Sequence, residues 1–162
     1  MAEADVPALL VLGIGNPDRG DDGAGRAVAK ALRTAAPAGV EIAEADGEAT
    51  ALMARIEGRR RVVVVDACLT GAAAGAIHRF DAALAPLPAF TFGVSSHGLG
   101  LHHAIEMARA LGGLPRQCLV YAIEGARFEI GAPLSPAVAA AAARLAEELA
   151  GELEQWREAE RA

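Results

Sequence analysis

The segment Arg61-Val62-Val63-Val64-Val65-Asp66-Ala67 constrains this chain more than any other. Four consecutive valines put β-branched, apolar side chains on both sides of a pleat, so the segment predicts a strand buried on both faces. Residues 8–14, ALLVLGI, read the same way, as a short apolar run ending in glycine and isoleucine. VEIAEA at 40–45 alternates apolar and acidic residues and suits an edge. GAIHRF (75–80) and CLVYAIE (118–124) bring the count to about five strands. Between them, helical spacing of apolar residues predicts helices over 22–36, 49–57 and 98–111. A closing helix over 135–157 has Ser135 as N-cap, Pro136 in its first turn, and a stripe of Val138, Leu145, Leu149, Leu153 and Trp156. The expected fold is α/β: a three-layer sandwich, a twisted, mainly parallel sheet with helices on both faces, in a single domain over residues 1–162.

Ligands of such sheets gather at the carboxyl ends of the strands, which directs attention to the loops there. Gly13-Ile14-Gly15-Asn16-Pro17-Asp18-Arg19-Gly20-Asp21-Asp22-Gly23 follows the first strand. A dinucleotide fingerprint needs a glycine where Asp18 stands, and a phosphate-binding P-loop needs a Gly-Lys-Ser/Thr that is missing. Capping of the following helix accounts for one of Asp21 and Asp22, not for three acids in five residues. Asp66 ends the valine strand, where a carboxylate is costly unless paired, hydrogen-bonded or metal-bound; capping the amides of a neighbouring loop is the structural alternative. His97 lies in Ser95-Ser96-His97-Gly98, at the start of a helix that either serine can cap. Asp22, Asp66 and His97 together offer two carboxylates and an imidazole from three loops on one sheet edge, a set suited to a divalent metal.

Other chemistries fit less well. The Ser95–His97 segment has no Gly-x-Ser-x-Gly elbow. Cys68, between Ala67 and Leu69, reads as a packed thiol rather than a nucleophile. His78 beside Arg79 reads as exposed, and at least one of His102 and His103 as solvated. The net charge of −6, with both signs mixed along the chain, argues against a nucleic-acid groove. The basic run Arg59-Arg60-Arg61 reads as a solvated loop. No stretch approaches the roughly 20 apolar residues of a membrane span. Glu3 and Asp5 precede a short apolar run without a basic region, so no secretory signal is expected. A cytoplasmic setting with Cys68 and Cys118 reduced follows, and a monomer is the default oligomeric state.

Three motifs then carry a resemblance that runs along nearly the whole chain. Leu12-Gly13-Ile14-Gly15-Asn16 with Asp21-Asp22-Gly23-Ala24-Gly25, then Val65-Asp66-Ala67, then Ser96-His97-Gly98-Leu99-Gly100-Leu101 are similar to the nickel–iron hydrogenase maturation endopeptidases. The resemblance implies a metal-dependent, aspartyl endopeptidase-like hydrolase that removes the C-terminal tail of a hydrogenase large-subunit precursor after nickel insertion. It assigns Asp22, Asp66 and His97 as catalytic and metal-contacting residues, with nickel supplied by the substrate. Asn16, Asp46 and Thr50 become substrate-facing residues. Two departures stand out. The family's first acid is often Glu where this chain has Asp22, with Asp21 a competitor for the role. A common Asp-Gly-Gly-Thr is here Asp46-Gly47-Glu48-Ala49-Thr50. Two alternatives remain: a non-catalytic metal or docking protein of hydrogenase assembly, and a peptidyl-tRNA hydrolase-like esterase, which shares the Gly-x-Gly-Asn-Pro opening but expects a histidine soon after it.

Overall fold

A computed structural model describes residues 7–88 and 97–161, with the side chains of residues 97–99 outside that description. The strands are β1 (Leu9–Ile14), β2 (Val40–Ala45), β3 (Arg61–Cys68), β4 (Ile77–Asp81) and β5 (Gln117–Glu124). The helices are α1 (Ala24–Ala35), α2 (Ala49–Ile56), α3 (His97–Ala110) and α4 (Pro136–Arg161). The sheet runs in the order β2-β1-β3-β5-β4. Its first four strands are parallel, while β4 pairs antiparallel with β5.

Register explains why the valine run is buried twice over. Ala43, Leu12, Val64 and Val120 line up across four strands and face Leu52 and Ile56 of α2 and Leu101 and Ile105 of α3 in one core. Their neighbours Val11, Val63 and Leu119 face Val28 and Leu32 of α1 and Val138, Leu145 and Leu149 of α4 in the other. The expected three layers are therefore present, and β2, with one buried residue, takes the edge as its two acids require.

From β1 the chain crosses to β2 on one side, then returns past β1 to β3 on the other. Strand order thus reverses between β1 and β3, and the crevice at their carboxyl ends is where a fold of this type places its ligands. Both the Gly15–Asp22 loop and Asp66 lie there.

Two sequence expectations change. The predicted helix over 22–36 opens as a short 3-10 helix, Gly20–Gly23, before α1 begins. The arginine run is not a solvated loop: Arg59 is nearly buried against Glu41 and donates to the Pro7 carbonyl (2.9 Å), and Arg61 starts β3 under the Trp156 ring. Only Arg60, paired with Glu160, stands mainly in solvent.

Candidate active site

Glycines bring the loops of the crevice into contact. Gly15 has φ of +136°, which side chains rarely adopt, and a Cβ there would lie 1.9 Å from the Asp22 carbonyl oxygen. The chain therefore folds back so that the Asn16 amide donates to Asp22 Oδ2 at 3.0 Å. Gly25, in the first turn of α1, sits directly on β3: a Cβ there would meet the Val65 carbonyl oxygen at 2.2 Å. This approach sets Asp22 beside the end of β3. Gly25→Ala is expected to push α1 outward at a cost of about 1–3 kcal/mol. Chemical denaturation should show the loss, and peptidase activity should fall further than stability because the two acids separate.

The three acids of the loop have three different fates. Asp18 is exposed, and its amide donates to Asn16 Oδ1 at 2.9 Å. Asp21 is fully buried and accepts from the amides of Ala126 (2.8 Å), Arg127 (2.9 Å) and Ser135 (2.7 Å) and from the Ser135 hydroxyl (2.8 Å). Burial alone would raise its pKa, but those hydrogen bonds outweigh it and hold the carboxyl below the usual range. Asp22 is also buried, with the Asn16 amide on one oxygen. Neither acid caps a helix: among the described residues, neither the 3-10 helix nor α1 has a side-chain cap. Asp21 instead clasps the segment 126–135, and Ser135, whose carbonyl accepts from Ala139 as α4 begins, turns its hydroxyl to Asp21.

Asp66 is the third buried acid at this edge of the sheet. It shares strand parity with Val64 and Cys68, on the α2/α3 side of the sheet. Among the described residues it caps no neighbouring loop and accepts from the next amide, Ala67, at 2.8 Å. Burial pushes its pKa up, the Ala67 amide lowers it somewhat, and the charge of Asp22 raises it again, to about 8. A carboxyl destabilised as an anion and coupled to a second carboxylate is a poor structural element and a good cation ligand.

His97 is the first residue of α3, one position ahead of the predicted start, and its side chain lies outside the described residues. The same turn of α3 is fixed by Gly100, where a Cβ would stand 1.8 Å from the Gly47 carbonyl oxygen. The start of α3 therefore rests on the loop after β2, at the same carboxyl edge.

The three residues expected to face substrate are engaged locally. Asn16 uses its side-chain oxygen to turn its own loop. Asp46 accepts from the Glu48 amide at 3.2 Å, and Thr50 donates its hydroxyl to Glu48. Glu48, the departure from Asp-Gly-Gly-Thr, is the N-cap of α2 and accepts from the amides of Thr50 (3.0 Å) and Ala51 (2.8 Å).

Residues 26–152, more than three quarters of the chain, match the family model of HycI, described as a hydrogenase maturation protease. The chain belongs to the hydrogenase maturation protease family. The hydrogenase maturating endopeptidase HybD from E. coli shares its fold, with a TM-score of 0.74 at 26% identity over 91% of this chain and 92% of that one. A [NiFe] hydrogenase maturation protease, HycI from Thermococcus kodakarensis, gives a TM-score of 0.69 at 26% identity over 91% and 93%. An endopeptidase from Escherichia coli solved in solution gives 0.77 at 25% over 91% and 92%. No curated protein sequence matches. As a hydrogenase maturation protease the chain is an endopeptidase, a hydrolase. Among its described residues no helix is long and apolar enough to cross a membrane.

Sequence reasoning missed one buried acid of this maturation protease. Glu124 ends the apolar run of β5 as Asp66 ends that of β3 and is fully buried. It accepts from the amides of Thr70 (2.7 Å) and Gly71 (2.9 Å), the Thr70 hydroxyl (2.9 Å) and the Cys68 thiol (3.1 Å). Burial works against its charge, but those donors hold its pKa below the ordinary value. His78, expected in solvent, has a side chain only 28% exposed, with Nε2 3.3 Å from Glu124 Oε2. Cys68 is packed as expected, its pKa pushed well up by burial and by Glu124.

Proposed function

We propose that this endopeptidase removes the C-terminal tail of a nickel–iron hydrogenase large-subunit precursor, in the cytoplasm and after nickel insertion. Asp22, Asp66 and His97 contact the nickel carried by the precursor. The observation that carries this reading is the pairing of two buried carboxyls at the β1/β3 crevice, one of them pushed up to about 8 by burial and by its neighbour. A cation placed between them removes both the desolvation cost and the repulsion. The choice between the two adjacent loop acids falls on Asp22, because Asp21 has both oxygens hydrogen-bonded to the 126–135 segment.

The substrate's nickel supplies Lewis acidity at the scissile bond. This chain's residues supply the rest: Asp22 and Asp66 anchor the metal-bearing end of the precursor, His97 completes the ligand set, and a carboxylate of the pair takes the proton of the attacking water. Asn16, Asp46 and Thr50 shape the loops beside the bond rather than carry the chemistry.

Intact mass of the precursor, incubated with this protein in nickel-loaded and nickel-free forms, tests the reading. The expected result is loss of a C-terminal peptide from the nickel-loaded form alone. Equal cleavage of both forms would remove nickel from the account, and an unchanged mass with binding retained would leave a docking protein.

A further inference from the structure

We propose that Cys68, His78 and Glu124 form a second cation site, separate from the acid pair, for a transition-metal ion of the zinc class. The three residues come from β3, β4 and β5, adjacent hydrogen-bonded strands, so their Cα positions are fixed by the sheet. Cys68 stands directly opposite Glu124 in the β3–β5 register. Cys68 Sγ lies 3.1 Å and His78 Nε2 3.3 Å from Glu124 Oε2, and one ligand atom from each residue lies within 4.8 Å of the other two. Bonds of about 2.0–2.3 Å to a tetrahedral ion separate its donors by roughly 3.3–3.8 Å. The cluster needs only small side-chain movements to reach that spacing.

The donor set also decides the class of ion. Thiolate and imidazole select zinc and related ions over magnesium or calcium, and three protein ligands leave a fourth position open. Cys68 and Glu124 are fully buried, whereas His78 is 28% exposed, so the ion enters and meets water on the His78 side. Glu124 is already divided between two tasks. Its Oε1 accepts the amides of Thr70 and Gly71, an arrangement that orients a metal-ligating carboxylate from behind, and Oε2 faces the thiol and the imidazole while also accepting the Thr70 hydroxyl at 2.9 Å. On binding, the Cys68 S–H bond breaks and its proton leaves to solvent. Metal–sulfur, metal–nitrogen and metal–oxygen bonds form, and thiolate plus carboxylate balance the charge of a divalent ion. The bound ion would tie the 68–71 turn to three strands beside Asp66.

Cobalt(II) titration of the full chain, first stripped with a chelator, tests the site. The acid pair and His97 contain no sulfur, so a thiolate-to-cobalt charge-transfer band in the near ultraviolet distinguishes this cluster from them, and substitution of Cys118, the other thiol, separates the two cysteines. The expected result is one such band saturating at a single equivalent and bleached by zinc. It should vanish in Cys68→Ser and persist in Cys118→Ser and Asp22→Asn. His78→Ala, a change at a partly exposed position, should keep the fold by circular dichroism and weaken cobalt binding by at least about tenfold. Absence of the band at millimolar cobalt, or its survival in Cys68→Ser, would overturn the proposal and leave the cluster as a hydrogen-bonded clasp.

Discussion

Asp66→Asn should abolish peptidase activity while making the fold more stable at neutral and alkaline pH. The loss of activity is expected to exceed about 100-fold, beyond the range seen when only an outer-shell partner of a metal ligand is removed. The gain in stability follows from the sign of the pKa shift. The Asp66 carboxyl is raised from 3.8 in the unfolded reference to about 8 in the fold. Its contribution to stability is therefore fully present below about pH 4 and is lost progressively as pH rises toward about 8, where the folded form must at last ionise it. Asparagine never ionises. The stability difference between variant and wild type should grow over that window, to a few kcal/mol at most, and level off above it. Urea denaturation of both proteins at about pH 4, 6 and 9 measures it. A difference independent of pH would mean that Asp66 ionises in the fold as readily as in water.

Asp21→Ala should have the opposite character, a loss of fold that carries activity with it. The substitution strips the hydrogen-bond acceptor from three backbone amides and a hydroxyl, among which the Ser135 amide is buried. Unsatisfied buried donors cost roughly 1–3 kcal/mol each, so a destabilisation of at least about 3 kcal/mol is expected, a large part of the 5–15 kcal/mol of an ordinary domain. Because the Asp21 pKa is lowered by folding, its contribution is present above the unfolded carboxylate range and is lost as pH falls through the folded value. The variant should therefore differ most from wild type near neutrality and converge with it in acid. Thermal melts at neutral and acidic pH check this. An Asp21→Ala protein that melts like wild type would show that the 126–135 segment holds itself in place.

The contrast between these two residues shows what the sequence could carry. An apolar run that ends on an acid was legible, and it located Asp66 at the working edge of the sheet. The same signal marked Glu124, at the end of CLVYAIE, but drew no attention without a motif around it. VEIAEA gave the edge strand because its two acids, Glu41 and Glu44, could not sit in a central strand, although its apolar residues pack toward both cores, Ala43 and Ala45 on one face and Val40 and Ile42 on the other. The antiparallel direction of β4 was not read, although only eight residues separate Cys68 from Ile77, fewer than the dozen or more of a parallel crossover. Asp21 and Asp22 are neighbours with the same side chain, and what separates them is a set of donors more than 100 positions away. No local pattern holds that information. Glu48 is the reverse case: read as a disturbance of a substrate loop, it is the acceptor that starts α2.

The most direct test of the account is the intact mass of nickel-loaded large-subunit precursor after incubation with wild-type protein and, separately, with folded Asp66→Asn and His97→Ala proteins. The account predicts loss of the C-terminal peptide with wild type and an unchanged precursor with either variant. Cleavage by both variants at the wild-type rate would contradict it and place the chemistry outside the β1/β3 crevice.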